Sequence, residues 1–414
     1  MKVIAALLSL LRSPNYRWTA LLLFFSGSTA YIAAPTFALF ASQRLQASEL
    51  QITTFFAANA LVGIFVVMTV GRFSDRVGQR RHYVATGFTW MAIGYLVLAT
   101  AQHFLVMSLV GVIFFSALEV GNVQLHALSK EIHSDSPSAR GLESSLTGSL
   151  RAAYVLGCVV GPAVGGALLT LVGNRTVFVT AAVLYVSCAG VALTLLPVAS
   201  ARTKIATQGA PGIAGLLRSE RRALLIFGTA VAFSLGGDVL RLALLPVLLS
   251  QTLATTPQLA NLTFSIAPCL QMVFMPLAGY LADRFGTGKI VTIGSVSGLA
   301  YYGLLAFATN IWEVYILQGF YAFLVACIIG VGISHAQKLA KGEAGLATSV
   351  YFCAKLIAVV VGSTLSGIVA ENYGVRLSFL VPAAMCGIGA VLTLLAIRAE
   401  QLHPSPPVVL EATD

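Results

Sequence analysis

Along most of the chain, apolar residues come in trains of about twenty, separated by short clusters rich in Gly, Pro, Ser, Arg, Lys and Asp. At helical rise about twenty residues cross a hydrocarbon core, so a train of this length with few charges reads as a spanning helix. Twelve are predicted: Trp18–Phe40, Leu50–Val70, Tyr83–Ala101, Phe104–Leu128, Leu142–Leu171, Val177–Leu196, Ala223–Ser250, Leu259–Leu281, Ile290–Ala308, Trp312–His335, Ala344–Ala370 and Leu377–Ile397. Glycine and proline inside these trains do not argue against helix, because lipid offers the backbone no other hydrogen-bond partner.

Two of the polar clusters repeat. Gly71, Asp75, Arg76, Gly78 and Arg81 in GRFSDRVGQRR recur as Gly279, Asp283, Arg284, Gly286 and Lys289 in GYLADRFGTGK. Within the fifth and eleventh trains, GLESSLTGSLR lies over GLATSVYFCAK, placing Ser145 on Ser349 and Arg151 on Lys355. Pro35 corresponds to Pro246, and His126 to His335. The chain is therefore a duplicated half. It divides into an N-terminal six-helix bundle (1–196), a linker (197–222), a C-terminal six-helix bundle (223–398) and a short tail (399–414). The linker, rich in Pro, Gly, Ser and Thr and then basic, is the one loop long enough to separate two lobes.

Composition narrows the class. Hydrophobic residues make up 57% and charged residues 10%, with mean hydropathy +0.88; soluble domains carry roughly 25% charged residues. The lipid bilayer is the implied partner. Nineteen Lys and Arg fall in one set of alternate loops and the termini, three in the other set, and three within spans, which accounts for all 25. The crowded side is cytoplasmic by the positive-inside bias, so both termini are expected inside. The net charge of +10 is thereby a topology signal, and no soluble module is left to offer nucleic acid a basic face. All six cysteines lie in apolar trains without metal-ligand spacing and read as inert core thiols. The opening MKVIAALLSLLR, with a nine-residue apolar run and no cleavage site before Pro14, reads as an interfacial helix rather than a leader.

Two homologous bundles related by an axis along the membrane normal place a substrate site at their interface, near the midplane. The paired G-x-x-x-D-R-x-G-x-x-[RK] clusters resemble the loop signature of the major facilitator superfamily, and GCVVGPAVGG matches that superfamily's fifth-helix pattern at Gly157, Gly161, Pro162, Gly165 and Gly166. Those glycines strip bulk from one helix face and allow close packing, and the proline bends the helix. The segments AAPTFALFASQRL, VQLHALSKE, SLRAAYVLGCVVGP, GEAGLATSVY and GSTLSGIVAE make the chain similar to the sugar efflux transporter family. That resemblance implies an all-α membrane protein, a monomer with twelve transmembrane helices, in the inner membrane of a bacterium. It further implies export of small sugars or glycosides, driven by the proton gradient without any bound cofactor. It also implies that the loop clusters latch the cytoplasmic face as a gate. The chain departs from that family in carrying Glu119, Asp238 and Arg241 where neutral polar residues are expected. A charged or zwitterionic metabolite, a siderophore-like compound or a drug therefore stays open as substrate.

Charges in the spans are the candidate chemistry. An isolated charge at the bilayer centre costs from about 3 to over 10 kcal/mol, so each should face a cavity or a partner. Glu119 and Arg151 each lie about nine residues from the cytoplasmic end of their spans, or about 14 Å deep, and are placed to pair. Asp238 and Arg241, three apart, share a helix face. Glu119 is the expected proton carrier with Asp238 as a second coupling acid; Asp238 and Arg241 are substrate contacts or a structural pair. Asn59, Asn122, Gln124, Gln271 and Gln318 are candidate hydrogen-bonding residues for substrate hydroxyls, and Tyr31, Trp90, Tyr154 and Tyr351 candidate stacking platforms, with Arg151 and Lys355 as cationic contacts. Nothing resembles a nucleophile with its base or a metal triad, so an enzyme is not expected.

Overall fold

The computed structural model describes residues 13–77, 80–116, 120–125, 128, 143–197, 218–339 and 344–402. Among these residues every regular element is a helix: α1 (Pro14–Gln43), α2 (Glu49–Val77), α3 (Arg80–Thr100), α5 (Glu143–Val172), α6 (Asn174–Leu195), α8 (Pro257–Phe285), α9 (Thr287–Leu305) and α11 (Ala344–Tyr373) are single rods, and α4 is helical at Phe104–Phe115 and again at 120–125. Three more are interrupted. The α7 rod consists of α7a (Arg218–Leu235) and α7b (Asp238–Val247), followed by a π turn at Leu248–Thr252. The α10 rod runs as α10a (Ile311–Val325), a π segment (Ala326–Val331) and α10b (Gly332–Leu339), and α12 has a short Val375–Ser378 start before Leu380–Leu402. Ten helices among the described residues are long and apolar enough to cross a membrane. The α9 rod is not among them, since its TGKIVTIGSVSGLAYYGLL interleaves Gly, Ser, Thr and Tyr with the aliphatics.

Local chemistry sets the ends. Pro14 and Pro257 stand in the first turn of their helices, where a missing N–H costs nothing. Asn310 caps α10a by accepting from the Glu313 N–H at 3.0 Å, while the Glu313 carboxylate accepts from the Thr309 N–H at 2.7 Å. Three helix pairs are joined through a single glycine with positive φ: Gly173 (85°), Gly286 (97°) and Gly374 (90°). A side chain in that region is strained, so these joints need glycine. Gly173 and Gly374 link α5 to α6 and α11 to α12, the same step in each half.

Apolar side chains gather into two cores. One is built from α1 to α6; the other comes from α7 to α12, with Ala38, Ala41, Ala47 and Ile52 of the first half joined to it. In the first core α5 lies along α1. A Cβ at Gly157 would come within 2.7 Å of the Ser28 nitrogen, one at Gly161 within 3.1 Å of the Ile32 nitrogen, and one at Gly165 within 3.0 Å of the Ile32 Cα. The three glycines thus let two backbones touch, whereas Gly166 turns the other way, onto Gln258 and Asn261 of α8. Between the halves the most extensive packing is α5 with α8 and α2 with α11. Gly166 against α8, and Gly367 of α11 against Leu50 and Thr53 of α2, place close contacts at the ends that hold few basic residues. Toward the basic ends, a Cβ at Gly279 would meet nothing within 4 Å. No close contact is made at that glycine in this conformation.

Replacing Gly161 by Ala forces α5 off α1 and should lower stability by about 1–3 kcal/mol. Gly303→Ala, in a helix where an added Cβ meets nothing within 4 Å, should instead gain up to about 1 kcal/mol. Thermal midpoints of the purified variants measure both, and equal shifts would contradict the packing.

Candidate functional site

The chemistry begins where α7 breaks. Gly236 and Gly237 form the turn, and neither has room for a side chain. A Cβ at Gly237 would run into Tyr302 of α9 and Pro382 of α12, and Gly362 of α11 lies against the backbone of Gly236. The clamped break puts Asp238 in the first turn of α7b, where the helix N-terminus favours a carboxylate.

Asp238 and Arg241 do not pair directly, contrary to what their spacing suggests. The Tyr321 hydroxyl of α10 donates to the Asp238 carboxylate. The guanidinium of Arg241, only 2% exposed, lies 4.2 Å from the centre of the Tyr321 ring and 4.8 Å from that of Phe264. Its Nε and Nη2 donate to Gln318 Oε1 at 3.3 and 3.0 Å. Gln318 Nε2 donates to the Tyr301 hydroxyl at 3.4 Å and to the Val314 carbonyl at 3.2 Å. Tyr321 therefore stands between anion and cation, bonding one through its oxygen and carrying the other on its ring face. The physical reason is geometric: at i and i+3 the two side chains share a face, but aromatic rings fill the gap between them.

Across the bundle interface a cavity of about 260 Å³ opens beside this network. Tyr31, Ala34 and Phe37 of α1 line it with Phe55, Phe56 and Asn59 of α2, Met91 and Tyr95 of α3, Phe115, Tyr154 and, from the second half, Leu242. Two prolines, one turn beyond lining residues, act on its wall in a symmetric way. Pro35 has no N–H for the carbonyl of Tyr31, and Pro246 none for that of Leu242, so each half contributes a lining residue whose carbonyl the helix ladder leaves unused. Leu242, the residue after Arg241, lines the cavity and so sets cavity and network side by side.

Of the residues singled out in the sequence, Asn59 and Tyr154 line the cavity and Gln318 belongs to the network. Arg151 is exposed, Lys355 and Gln271 half-buried. Tyr351 is buried and donates to the Ile328 carbonyl at 2.8 Å, within the π segment of α10. Two polar candidates are committed elsewhere: Asn122 Oδ1 accepts from Ser26 at 2.6 Å, tying α4 to α1, and Gln124 Oε1 accepts from Arg80 at 3.0 Å. Trp90 donates to the Ile113 carbonyl, packs on Phe114 and is 41% exposed, so it sits on the outer face rather than in the chamber. Glu119, His126 and Gly78 lie outside the described residues, as do the side chains of Asp75 and Arg76. His335 is buried, its Nδ1 2.9 Å from the Thr287 hydroxyl. Asp283 and Arg284 are exposed, with Arg284 over the Phe285 ring. Cys269 and Cys353 are exposed and so depart from the core position expected of all six cysteines. Among the described residues no group of His, Cys, Asp and Glu could hold a metal ion. Sequence reasoning missed Tyr321 and Tyr301; the only signal was their place on α10 and α9, three residues after Gln318 and beside Tyr302.

A helical membrane protein with a charged, hydrogen-bonded network beside a cavity between two bundles has the form of a secondary transporter. The chain belongs to the Major Facilitator Superfamily, whose family model matches residues 19–239 and again 226–412. It is 29% identical over 392 residues to Sugar efflux transporter A of Dickeya chrysanthemi, covering 94% of this chain and 97% of that one. With Sugar efflux transporter C of Escherichia coli (strain K12) it shares 25% over 379 residues, covering 91% and 94%. In fold it superposes on the crystal structure of a mutant of the nucleoside transporter NupG with a TM-score of 0.77 at 15% identity, covering 93% of this chain and 99% of that one. The superfamily and these sugar efflux relatives are transporters, not enzymes.

Gln318→Leu removes the acceptor of a buried guanidinium and should destabilise the protein by about 1.5–3 kcal/mol. Gln318→Glu, which supplies a carboxylate at the same place, should recover most of that loss. Paired melting curves decide, and identical behaviour of the two would show that the Arg241–Gln318 bond carries no weight.

Proposed function

We propose that this protein exports a small hydroxylated metabolite, a sugar or glycoside, across the bacterial inner membrane in exchange for protons. The observation that carries the proposal is the position of Asp238: a carboxylate deep in a span, joined to a tyrosine hydroxyl rather than to a cation, one helical turn before Leu242, through which the second half reaches a cavity lined by the first. Two relatives named as sugar efflux transporters, aligned over nearly the whole chain, favour sugars as the cargo.

In this proposal the structure represents the form open to the cytoplasm. The bundles touch at the ends poor in basic residues, and Arg151 is exposed within its span. An arginine at that depth belongs in water, not lipid, so the space it faces is an aqueous opening. Asp283 makes no ion pair with a described residue, as an unlatched gate requires. Substrate enters from the basic side and meets Asn59, Tyr154 and the network around Arg241. Rocking of one bundle against the other closes the loop clusters and opens the opposite end. Protons then load Glu119 and Asp238, the substrate leaves outward, and the return swing delivers the protons inside.

A second reading is favoured by the cavity wall. Phe37, Phe55, Phe56, Met91 and Phe115 make it largely aromatic, which suits a lipophilic drug or a siderophore-like compound. Competition separates the two: efflux of a labelled glycoside from vesicles should be blocked by excess glycoside and barely affected by hydrophobic cations.

Reconstituted in liposomes under an imposed pH gradient, Glu119→Gln and Asp238→Asn should each lose gradient-driven export. Both should retain exchange of labelled for unlabelled substrate at equal pH, which needs no net proton movement. Undiminished gradient-driven export in both variants would eliminate proton coupling through these acids.

A further inference from the structure

The aromatic wall of the cavity carries a hydroxyl that the protein does not use. Tyr95 of α3 lines the cavity and is 6% exposed. Its ring is held on both sides: it lies parallel to Tyr185, at 8° with centroids 5.9 Å apart, and packs against Phe115 at 5.0 Å. Phe115 in turn meets Phe37 and Phe55, which also line the cavity. A buried tyrosine usually bonds its hydroxyl, and others in this chain do so. Tyr185 donates to the Ser26 carbonyl at 3.4 Å, Tyr321 to Asp238 and Tyr351 to the Ile328 carbonyl. Tyr95 makes ring contacts, but its hydroxyl has no hydrogen bond with a described residue. Nor is that oxygen sealed off, as the unpartnered Tyr302 hydroxyl is. Asn59, on the cavity wall from α2, likewise has no hydrogen bond with a described residue.

A hydroxyl in such a place is answered by whatever enters the cavity. The other groups there suit a polyol. Pro35 and Pro246 leave the Tyr31 and Leu242 carbonyls as acceptors, the Asn59 amide both donates and accepts, and Phe37, Phe55 and Phe56 offer faces to the C–H side of a ring. At about 260 Å³ the cavity is smaller than the roughly 300–1,000 Å³ usual for drug-sized ligands, so a cargo that fills it reaches the α3 wall. We propose that Tyr95 determines cargo specificity: its hydroxyl, held in place by the stack on Tyr185, bonds one defined hydroxyl of a sugar ring beside Asn59. The inference rests on the sugar-export reading above and deepens it by naming the residue that selects among sugars. A site built to bond a substrate hydroxyl rejects the analogue lacking it, because a buried polar group is then left unpaired. A mostly apolar chamber thereby gains a means of telling sugars apart.

Equilibrium binding to the full-length purified protein tests this without requiring transport. The probes are labelled methyl glucoside, methyl galactoside and methyl mannoside with their singly deoxygenated analogues. The wild type should bind at least one parent sugar, and one particular deoxygenation should weaken it by roughly fivefold or more. In Tyr95→Phe, which keeps the ring in its stack, that parent should bind as weakly as the analogue does. The same deoxygenation should then cost nothing further, while deletions elsewhere on the ring keep their wild-type effects. Tyr185→Phe, which removes a hydroxyl spent on Ser26, should lower the thermal midpoint and leave the selectivity pattern intact. A wild-type deoxygenation profile reproduced unchanged in Tyr95→Phe overturns the proposal, and so does a uniform loss across the parent and all its analogues. The two ideas fail distinguishably. A protein that binds the sugars with a profile indifferent to Tyr95 loses this inference alone, whereas one that binds none of them loses the sugar reading and this inference with it.

Discussion

A charge without an answering group has nowhere to go in hydrocarbon, and the structure is organised around that constraint. Water would stabilise the Arg241 guanidinium by several hydrogen bonds; here an amide oxygen and two aromatic faces replace it. The replacement needs four helices in register: α7b for the arginine, α8 for Phe264, α9 for Tyr301 and α10 for Gln318 and Tyr321. Breaking α7 at Gly236–Gly237 makes the register possible, because the turn moves Asp238 to a helix start and presents it to Tyr321. The polar network and the helix break are therefore one feature.

Close backbone packing supplies the rigidity that this arrangement requires. The α5 glycines seat that helix on α1, and Gly362 seats α11 on the α7 break. Each bundle is thereby locked internally, while its partner is met at Gly166 on α8 and Gly367 on α2 at one end, with open space at Gly279 at the other. Lipid supplies no hydrophobic force between helices, so such small-residue contacts do what a soluble core does by excluding water.

Much of this architecture was legible in the residues. The helical trains follow from length and composition alone, and their membership of a duplicated pair follows from the spacing of Asp75 with Asp283 and Arg151 with Lys355. What was not legible depended on neighbours. Nothing in GGDVLR says that its two charges will be kept apart by a tyrosine eighty residues away. Asn122 and Gln124 looked like substrate contacts because amides in a span must bond something, yet Ser26 and Arg80 satisfied them first. Trp90 failed for the opposite reason: a lone aromatic shows no direction until the helix is rotated into place.

The π segment of α10 bears on the history of the fold. Asp75 and Asp283 are 208 positions apart, but His126 and His335 are 209 apart, so the second half has one residue more between those landmarks. A π turn is how a helix absorbs a single inserted residue without losing its axis, and Ala326–Val331 lies inside that interval. The π turn widens the helix where the Ile328 carbonyl receives the Tyr351 hydroxyl, so the irregular stretch of α10 is also the place where α11 is anchored on its neighbour.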